Sequence, residues 1–141
     1  MKFTFLSKGF YEEHRFHTEI EQKEDRPYVQ VVVEINGILF AVPLRSNITH
    51  KHAFFTDKEK RCGLDYSKTV VITNQEEQLD HERKPYIRDD EFKALMGKEY
   101  EVRCGLEKYI RTYKKAVDNR FVPRNDMLCK FSTLQYFEEY I

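Results

Sequence analysis

One eight-residue stretch, 45–52, holds most of the side chains in this sequence that can act together in chemistry. It supplies a guanidinium, two hydroxyls, an amide, two imidazoles and an ammonium group. These belong to Arg45, Ser46, Asn47, Thr49, His50, Lys51 and His52. Cleavage of RNA by its own 2′-hydroxyl needs a proton acceptor, a proton donor and positive charge on the phosphate, all without a metal. The stretch contains every group that this reaction requires.

The candidate catalytic residues in this stretch differ in what each can contribute. Arg45 presents a planar fork of donors suited to phosphate oxygens. Ser46 and Thr49 offer hydroxyl donors, the two imidazoles exchange protons near neutral pH, and Lys51 neutralises charge. A simpler interpretation also fits the sequence, in which Ser46 only stabilises a turn and the histidines lie on a surface loop without a catalytic role.

The two histidines are spaced as a pair of metal ligands can be. On an extended segment, His50 and His52 point to the same side. No third ligand with a recognisable metal-site spacing stands nearby. The sequence therefore predicts neither a metal site nor any other cofactor.

A β-hairpin delivers the chain to this stretch. Residues 28–35 are rich in valine, and Asn36-Gly37 is a strong two-residue hairpin signal because both positions tolerate positive φ. The return strand runs over residues 38–44, and Pro43 predicts a sheet edge or the end of the strand. The reactive stretch is therefore expected at the end of a rigid hairpin.

The sequence patterns that predict the other strands and connections are weaker. Residues 2–6 read as a first strand, and a short helix follows Ser7. Residues 56–68, which contain Gly63, read as a polar connection. Residues 69–73 form a short β-branched strand.

The second half of the chain is predicted to be helical. Asp89 and Asp90 can cap a helix that runs to Leu95 and stops at Gly97. A second helix carries an apolar stripe at helical spacing, Leu106, Ile110, Tyr113 and Val117. Ser132 can cap a last helix that carries Leu134, Phe137 and Tyr140. Strands followed by helices predict a single α+β domain over residues 1–141.

Charge is distributed unevenly along a chain that is neutral overall, with 24 basic and 24 acidic residues. Basic residues are in excess over 44–62 and 108–124, and acidic residues over 75–91. Separate basic and acidic faces can still attract a polyanion. The predicted RNA-binding residues are Tyr28, Asn47, His52, Lys108, Arg111, Lys114, Lys115 and Arg120. The alternative is that the helical cations form an ordinary solvated face.

Cysteine usage and hydropathy indicate a compartment. Cys62, Cys104 and Cys129 are odd in number and lack a C-x-x-C pair, which argues against a disulfide framework and fits a reduced cytoplasm. The first residues show no signal-peptide pattern, and no apolar run is long enough to cross a membrane. We therefore expect a cytoplasmic protein that does not bind membranes.

Several short motifs, spread over nearly the whole chain, resemble one protein family. They are the opening Met1-Lys2-Phe3, the turn Glu34-Ile35-Asn36-Gly37, the segment with Ala41, Pro43, Leu44 and Ser46, and the segment with Cys129, Phe131, Ser132 and Leu134. In this pattern the chain resembles the ToxN/AbiQ/CptN/TenpN endoribonuclease toxins of type III toxin–antitoxin systems, and most of all the CptN-like branch.

The resemblance implies both a fold and a set of site residues. It implies a small, strongly curved antiparallel sheet of the MazF/Kid type, with an SH3-like barrel core and flanking helices. It implies an essential hydroxyl at Ser46 and a supporting cation at Arg26, where the family often has lysine. The family's threonine before this serine is Arg45 here. Its lysine two residues after the serine falls on Ile48, so that role passes to Thr49, His50 or Lys51.

The resemblance also implies an activity and partners. The chain would cut single-stranded RNA sequence-selectively, in cellular or phage messengers, and leave a 2′,3′-cyclic phosphate and a 5′-hydroxyl. A small structured antitoxin RNA, processed by the toxin, would inhibit it in a closed protein–RNA hetero-oligomer, with a role in phage defence or plasmid maintenance. Two other interpretations remain open: a non-catalytic RNA-binding regulatory module, and a general interaction protein whose polar loop is incidental.

Overall fold

The fold of the chain was analysed in a computed structural model, which describes residues 1–21 and 27–141. It is an α+β structure, as predicted, with a seven-stranded antiparallel sheet and five α-helices in those residues. The strands are β1 (Lys2–Leu6), β2 (Gln30–Ile35), β3 (Ile38–Arg45), β4 (Ala53–Asp57), β5 (Cys62–Asp65), β6 (Val70–Ile72) and β7 (Leu79–Asp80). The helices are α1 (Lys8–Glu13), α2 (Gln75–Gln78), α3 (Asp89–Leu95), α4 (Glu99–Asp118) and α5 (Pro123–Phe131).

The predicted hairpin is confirmed and forms the middle of the sheet. The strands lie in the order β4-β5-β3-β2-β1-β7, and β6 also pairs with β3. Asn36 and Gly37 make the turn with φ of 51° and 82°, the left-handed conformation that the sequence requires of them. The register joins Ile35 to Ile38 and Gln30 to Pro43.

The prediction that Pro43 marks an edge or a strand end is wrong, because β3 is internal and continues to Arg45. The N–H of Leu44 donates to Val29 O at 2.8 Å, on the β2 side. Successive residues of a strand turn their backbone groups to opposite sides, so the nitrogen of Pro43 faces away from β2. On that side β6 pairs only as far as Ala41 and β5 begins at Leu44. The missing donor of Pro43 therefore lies where no strand requires it.

The prediction of a polar connection over residues 56–68 is also wrong. Residues 53–57 and 62–65 form β4 and β5, which pair through a turn in which Asp57 Oδ1 accepts from the Lys60 N–H at 3.1 Å. A 3₁₀ helix, Tyr66–Lys68, follows β5. The charged residues between the strands belong to the turn, and the strands themselves are short and carry few β-branched residues. These features hide the strand pattern in the sequence.

The first two predicted helices, α1 and α3, lie where the sequence placed them but differ in detail. α1 begins after Ser7, whose hydroxyl accepts from the Phe10 N–H at 3.1 Å, as expected. α3 has Arg88 at its N-cap, and Asp89 and Asp90 lie in its first turn without capping it. Gly97 does adopt a positive φ, 72°, just beyond the end of α3.

The long helix α4 supplies the largest helical contribution to the core. Its buried residues are Val102, Leu106, Tyr109, Tyr113 and Ala116. The predicted stripe was therefore rotated, because Ile110 and Val117 are only partly buried at its margin. Tyr109 was missed because the predicted stripe passed through Ile110, one residue later.

The C-terminal segment differs most from the prediction. Ser132 does cap the next turn, because its Oγ accepts the Leu134 N–H at 3.2 Å. That turn is a 3₁₀ helix, Thr133–Tyr136, and a second 3₁₀ helix follows at Glu138–Tyr140. The helix α5, which starts at Pro123, was not predicted. None of the helices in the described ranges combines the length and apolar character needed to cross a membrane.

Replacement of Gly63 by alanine should destabilise the protein. Gly63 pairs with Phe55 and Arg45, and a Cβ there would lie 2.8 Å from Phe55 Cα and closer still to the Phe54 carbonyl. Because the obstructing atoms are backbone, β4 must move. We expect Gly63→Ala to lower the free energy of unfolding by about 1–3 kcal/mol, measured by chemical denaturation. A variant as stable as the wild type would show that the two strands are not this close.

Candidate functional site

The carboxylate of Asp65 lies at the centre of the site. It ends β5, and its side chain is 0% exposed. Arg45 Nη1 donates to Oδ2 at 2.8 Å, while Ser67 donates to Oδ1 from its hydroxyl at 2.6 Å and its N–H at 2.9 Å. Burial alone would raise the pKa of Asp65, but the hydrogen bonds from His50, Ser67 and Arg45 outweigh it and lower the pKa. Asp65 is therefore charged at neutral pH.

Arg45 joins the end of β3 to two carboxylates. Its Nη2 donates to Glu21 Oε1 at 2.8 Å, in addition to the bond to Asp65. The guanidinium also lies over the ring of Tyr28, 5.3 Å from the ring centre, and the Tyr28 hydroxyl donates to Glu21 Oε2 at 2.9 Å. The sequence predicted that Arg45 would bind phosphate, but in the structure its charge is already neutralised by protein carboxylates.

His50 links the Asp65 carboxylate to the backbone of the loop through hydrogen bonds. Its Nε2 lies 3.2 Å from Asp65 Oδ1 and 3.1 Å from Ser67 Oγ. Its Nδ1 accepts the backbone N–H of His52 at 3.0 Å. Because Nδ1 is an acceptor, the neutral ring carries its proton on Nε2. Both ring nitrogens are engaged, so His50 orients the loop at His52.

A second set of hydrogen bonds fixes the middle of the loop. Arg61 donates from Nε to Ile48 O at 2.8 Å and from Nη2 to His50 O at 2.6 Å. The Ile48 N–H donates in return to Arg61 O at 3.0 Å, and the Ile48 side chain is buried. The guanidinium of Arg61 rests on the ring of Phe55, 4.5 Å from its centre. Hydrogen bonds therefore hold the stretch 45–52 in place at both its start and its middle.

The end of the loop and helix α4 enclose a cleft of about 290 Å³, which we call the basic cleft. Its lining includes Lys51, His52, Tyr66, Lys108, Tyr109 and Thr112. The sequence predicted the loop and the helical cations as separate features, and the structure brings Lys51 and His52 together with Lys108.

His52 is the titratable group of the basic cleft. Its ring lies edge-on to Tyr109, with the ring centres 5.4 Å apart. Among residues 1–21 and 27–141, neither of its ring nitrogens has a hydrogen-bond partner. Burial lowers its pKa, and the neighbouring His50 and Lys51 lower it further. At neutral pH, His52 is an uncharged imidazole able to accept a proton.

The cations in the second half of α4 and just beyond its end fall into two groups. Lys108, Arg111, Lys114 and Lys115 are exposed, and within the described part of the chain none forms an ion pair with a carboxylate. Arg120, by contrast, donates to Asp126 from Nη2 at 3.0 Å and from Nε at 3.1 Å. Lys108 and Lys115 are seven residues apart and share a helix face with Thr112. A line of unpaired positive charge therefore leads from the basic cleft along α4.

Ser46 belongs to a different cleft from His52. It is exposed and lines a space of about 260 Å³, together with Tyr28 and Arg88. Asn47 and Thr49 are also exposed, and Asn47 adopts a φ of 56°. Arg26, a further predicted catalytic residue, lies outside the described residues.

Three residues of the site were not singled out from the sequence: Arg61, Asp65 and Ser67. The spacing of Asp65 and Ser67 is that of an Asx turn, a signal that the sequence does contain. Nothing local marks Arg61, since its partners lie 11 and 13 residues away. In the described ranges, no group of three or more His, Cys, Asp or Glu side chains is arranged to hold a metal ion.

Comparison of the chain with protein-family models, with curated proteins and with solved structures finds no match. The geometry of the loop and of α4 therefore carries the functional argument, together with the short motifs in the sequence.

Removal of the Asp65 charge should destabilise the protein in a pH-dependent way. Asp65→Asn leaves the partly buried Arg45 with only one carboxylate, and we expect a loss of about 3 kcal/mol at pH 7. Because the folded pKa is lowered, the wild type has this stabilisation above about pH 4 and loses it as the pH falls further. The difference in unfolding free energy between the two proteins should therefore shrink on acidification.

Chemical denaturation at pH 7, 5 and 3.5 tests this expectation. Asp118→Asn is the matched control, because Asp118 is at the end of α4, away from the loop, and it should leave stability nearly unchanged at each pH. A difference between Asp65→Asn and wild type that stays constant or grows on acidification would contradict the assignment of Asp65 as a charged, partnered group.

Proposed function

We propose that this protein is a metal-independent endoribonuclease, and that it acts as the toxin of a type III toxin–antitoxin system. It would cut single-stranded cellular or phage RNA and be held inactive by a small structured antitoxin RNA. The observation that carries the nuclease proposal is the basic cleft. There, a neutral imidazole with free ring nitrogens stands beside Lys51 and Lys108, which have no ion-pair partner in the described ranges.

The chemistry follows from the types of group in the cleft. The two ammonium groups attract a phosphodiester and stabilise the negative charge that grows on its oxygens in the transition state. His52 accepts the proton of the 2′-hydroxyl as the 2′-oxygen bonds to phosphorus. The bond from phosphorus to the 5′-oxygen then breaks, and Lys51 is the candidate donor of the proton that this oxygen takes up. The products are a 2′,3′-cyclic phosphate and a 5′-hydroxyl.

Asp65 and His50 contribute to this reaction through position. His50 accepts the N–H of His52, and Asp65 and Ser67 hold the opposite edge of the His50 ring. A base that is fixed before substrate arrives loses less conformational freedom on reaction. In this proposal Arg45 has a structural role, since its guanidinium is occupied by Asp65 and Glu21.

The toxin assignment rests on the resemblance of the short motifs, and so does the role of Ser46 as an essential hydroxyl. Its exposed position at the start of the loop supports that role. The resemblance also suggests a MazF/Kid-like sheet with an SH3-like barrel core. A bend consistent with that fold is supported by β3, which changes partner from β6 to β5 along one side. The three free cysteines support the expectation of a reduced, cytoplasmic setting.

The same cleft could bind RNA without cutting it, and cleavage by the purified protein separates a nuclease from an RNA-binding regulatory module. We expect wild-type protein in EDTA to cut single-stranded RNA and leave cyclic-phosphate ends. His52→Gln should lower the cleavage rate by about 10²–10⁴-fold. Because the pKa of His52 is lowered, kcat/KM should hold its full value at neutral pH and fall only as the pH drops below about 6.5.

The essential hydroxyl that the resemblance implies at Ser46 predicts that Ser46→Ala also abolishes cleavage and growth arrest in cells that lack the antitoxin RNA. Lys8→Ala is the control, because Lys8 is exposed on α1 and lines neither cleft. Activity that disappears in EDTA and returns with a divalent metal would contradict the mechanism. RNA binding without cleavage by the wild type would favour the regulatory module.

The unpaired cations of α4 should bind RNA along its backbone. A double Arg111→Ala, Lys115→Ala variant leaves Lys108 and the loop intact. It should bind single-stranded RNA more weakly, and the slope of log affinity against log salt should become shallower by about 0.7 for each phosphate that the variant no longer neutralises. The measurement is a salt titration of binding to an uncleavable RNA.

Arg120→Ala is the matched control for this helix, because the Arg120 charge is already paired with Asp126. It should change the salt slope less than either unpaired cation does. Equal salt slopes for the wild type and the double variant would show that this face of α4 is an ordinary solvated surface.

A further inference from the structure

The second cleft, which holds Ser46, differs in chemistry from the basic cleft. It lies between the ends of β2 and β3, the start of β5 and the segment that leads into α3, and its volume is about 260 Å³. The groups that matter on its lining are Tyr28, Ser46, Tyr86, Arg88 and Glu91. We call it the aromatic cleft. Its volume is below the usual range for drug-sized ligands, about 300–1,000 Å³, which suits a single heterocycle.

Tyr86 is the most unusual residue of the aromatic cleft. Its side chain is 81% exposed, although a tyrosine ring is a large apolar surface. Within the described part of the chain, the ring has no aromatic, cation–π or hydrogen-bond partner. An exposed ring on the lining of a cleft is the usual platform on which unpaired bases stack.

The charges in the aromatic cleft favour a neutral ligand over a phosphate. Arg88 Nε lies 3.0 Å from Glu91 Oε1 and 3.6 Å from Asp90 Oδ1, so its positive charge is compensated. A phosphate there would meet two carboxylates. The edge of a nucleobase, by contrast, offers both donors and acceptors, which match the Glu91 carboxylate, the Arg88 guanidinium and the Ser46 hydroxyl.

We propose that the aromatic cleft binds one unpaired nucleobase of the RNA strand whose phosphate occupies the basic cleft. The proposal rests on the nuclease function proposed above and extends it, because it makes Tyr86, Arg88 and Glu91 determinants of sequence selectivity. Ser46 and His52 lie six positions apart on one loop, and Arg61 and Asp65 pin that loop. The two clefts are thereby held at a fixed separation along the loop, so one RNA strand that spans both can present a base to one and a phosphate to the other.

A binding experiment tests the subsite separately from catalysis. The probes are an eight-nucleotide 2′-fluoro oligoadenylate, which lacks the attacking hydroxyl, and an abasic oligomer of equal length and charge. Wild type should bind the oligoadenylate more tightly than the abasic strand. Tyr86→Ala should reduce this preference by about 5- to 100-fold, the range expected when one base can no longer stack on an aromatic ring. Its salt slope should match that of the wild type.

Phe121→Ala is the matched control, since Phe121 is 83% exposed and lines neither cleft. Arg88→Ala tests whether Arg88 recognises the hydrogen-bonding edge of the base. This variant should change which of four homopolymeric RNAs the protein prefers. The subsite is overturned if Tyr86→Ala keeps the wild-type preference for bases, or loses no more than Phe121→Ala does. It is also overturned if wild type binds the two strands equally.

The results also separate the subsite from the nuclease. A wild-type protein that binds oligoadenylate through Tyr86 but cuts no RNA would support the subsite and contradict the nuclease. A protein that cuts RNA with the same preference in Tyr86→Ala as in the wild type would support the nuclease and contradict the subsite.

Discussion

A single buried negative charge, on Asp65, determines how the loop 45–52 is built. A carboxylate removed from water is unfavourable unless it is paired and fully hydrogen-bonded. Three segments meet that demand: the end of β3 through Arg45, the loop through His50, and the 3₁₀ helix through Ser67. The loop is ordered because its polar groups satisfy this charge. Its geometry is thus a consequence of how the chain folds around Asp65.

The separation of paired from unpaired charge explains how a neutral chain presents a basic surface. Arg45, Arg88 and Arg120 each have carboxylate partners. Lys51 and Lys108 do not, within the ranges that the structure describes. Net charge therefore says little about this protein, since the field around the basic cleft depends on which cations remain uncompensated. The paired arginines contribute little to the field around the protein, and the unpaired lysines are available to a polyanion.

Local signals in the sequence predicted the fold where one segment determines its own structure. Asn36-Gly37 defined a hairpin and Ser7 defined the start of a helix, because each feature depends on a few adjacent residues. β4 and β5 were missed because the strands are short, carry few β-branched residues and are separated by a charged turn. The same distinction between local and long-range interactions applies to the candidate site. The loop was singled out as a candidate site by residue type, but the roles of Arg45 and His50 depend on Asp65, at least 15 positions away in the sequence, and no local pattern links them to it.

Pro43 has a mechanical consequence for the sheet. It offers no N–H on the side of β3 that pairs with β6 up to Ala41 and with β5 from Leu44, so β3 donates no backbone hydrogen bond from this position between the two strands. In the described residues β3 is the strand that joins two wings, one of β6, β2, β1 and β7 and the other of β5 and β4. The wing with β5 carries Asp65, and the Arg45–Asp65 bond crosses from β3 to it. Bending of the sheet between the wings would therefore also displace this bond, which couples sheet bending to order in the loop.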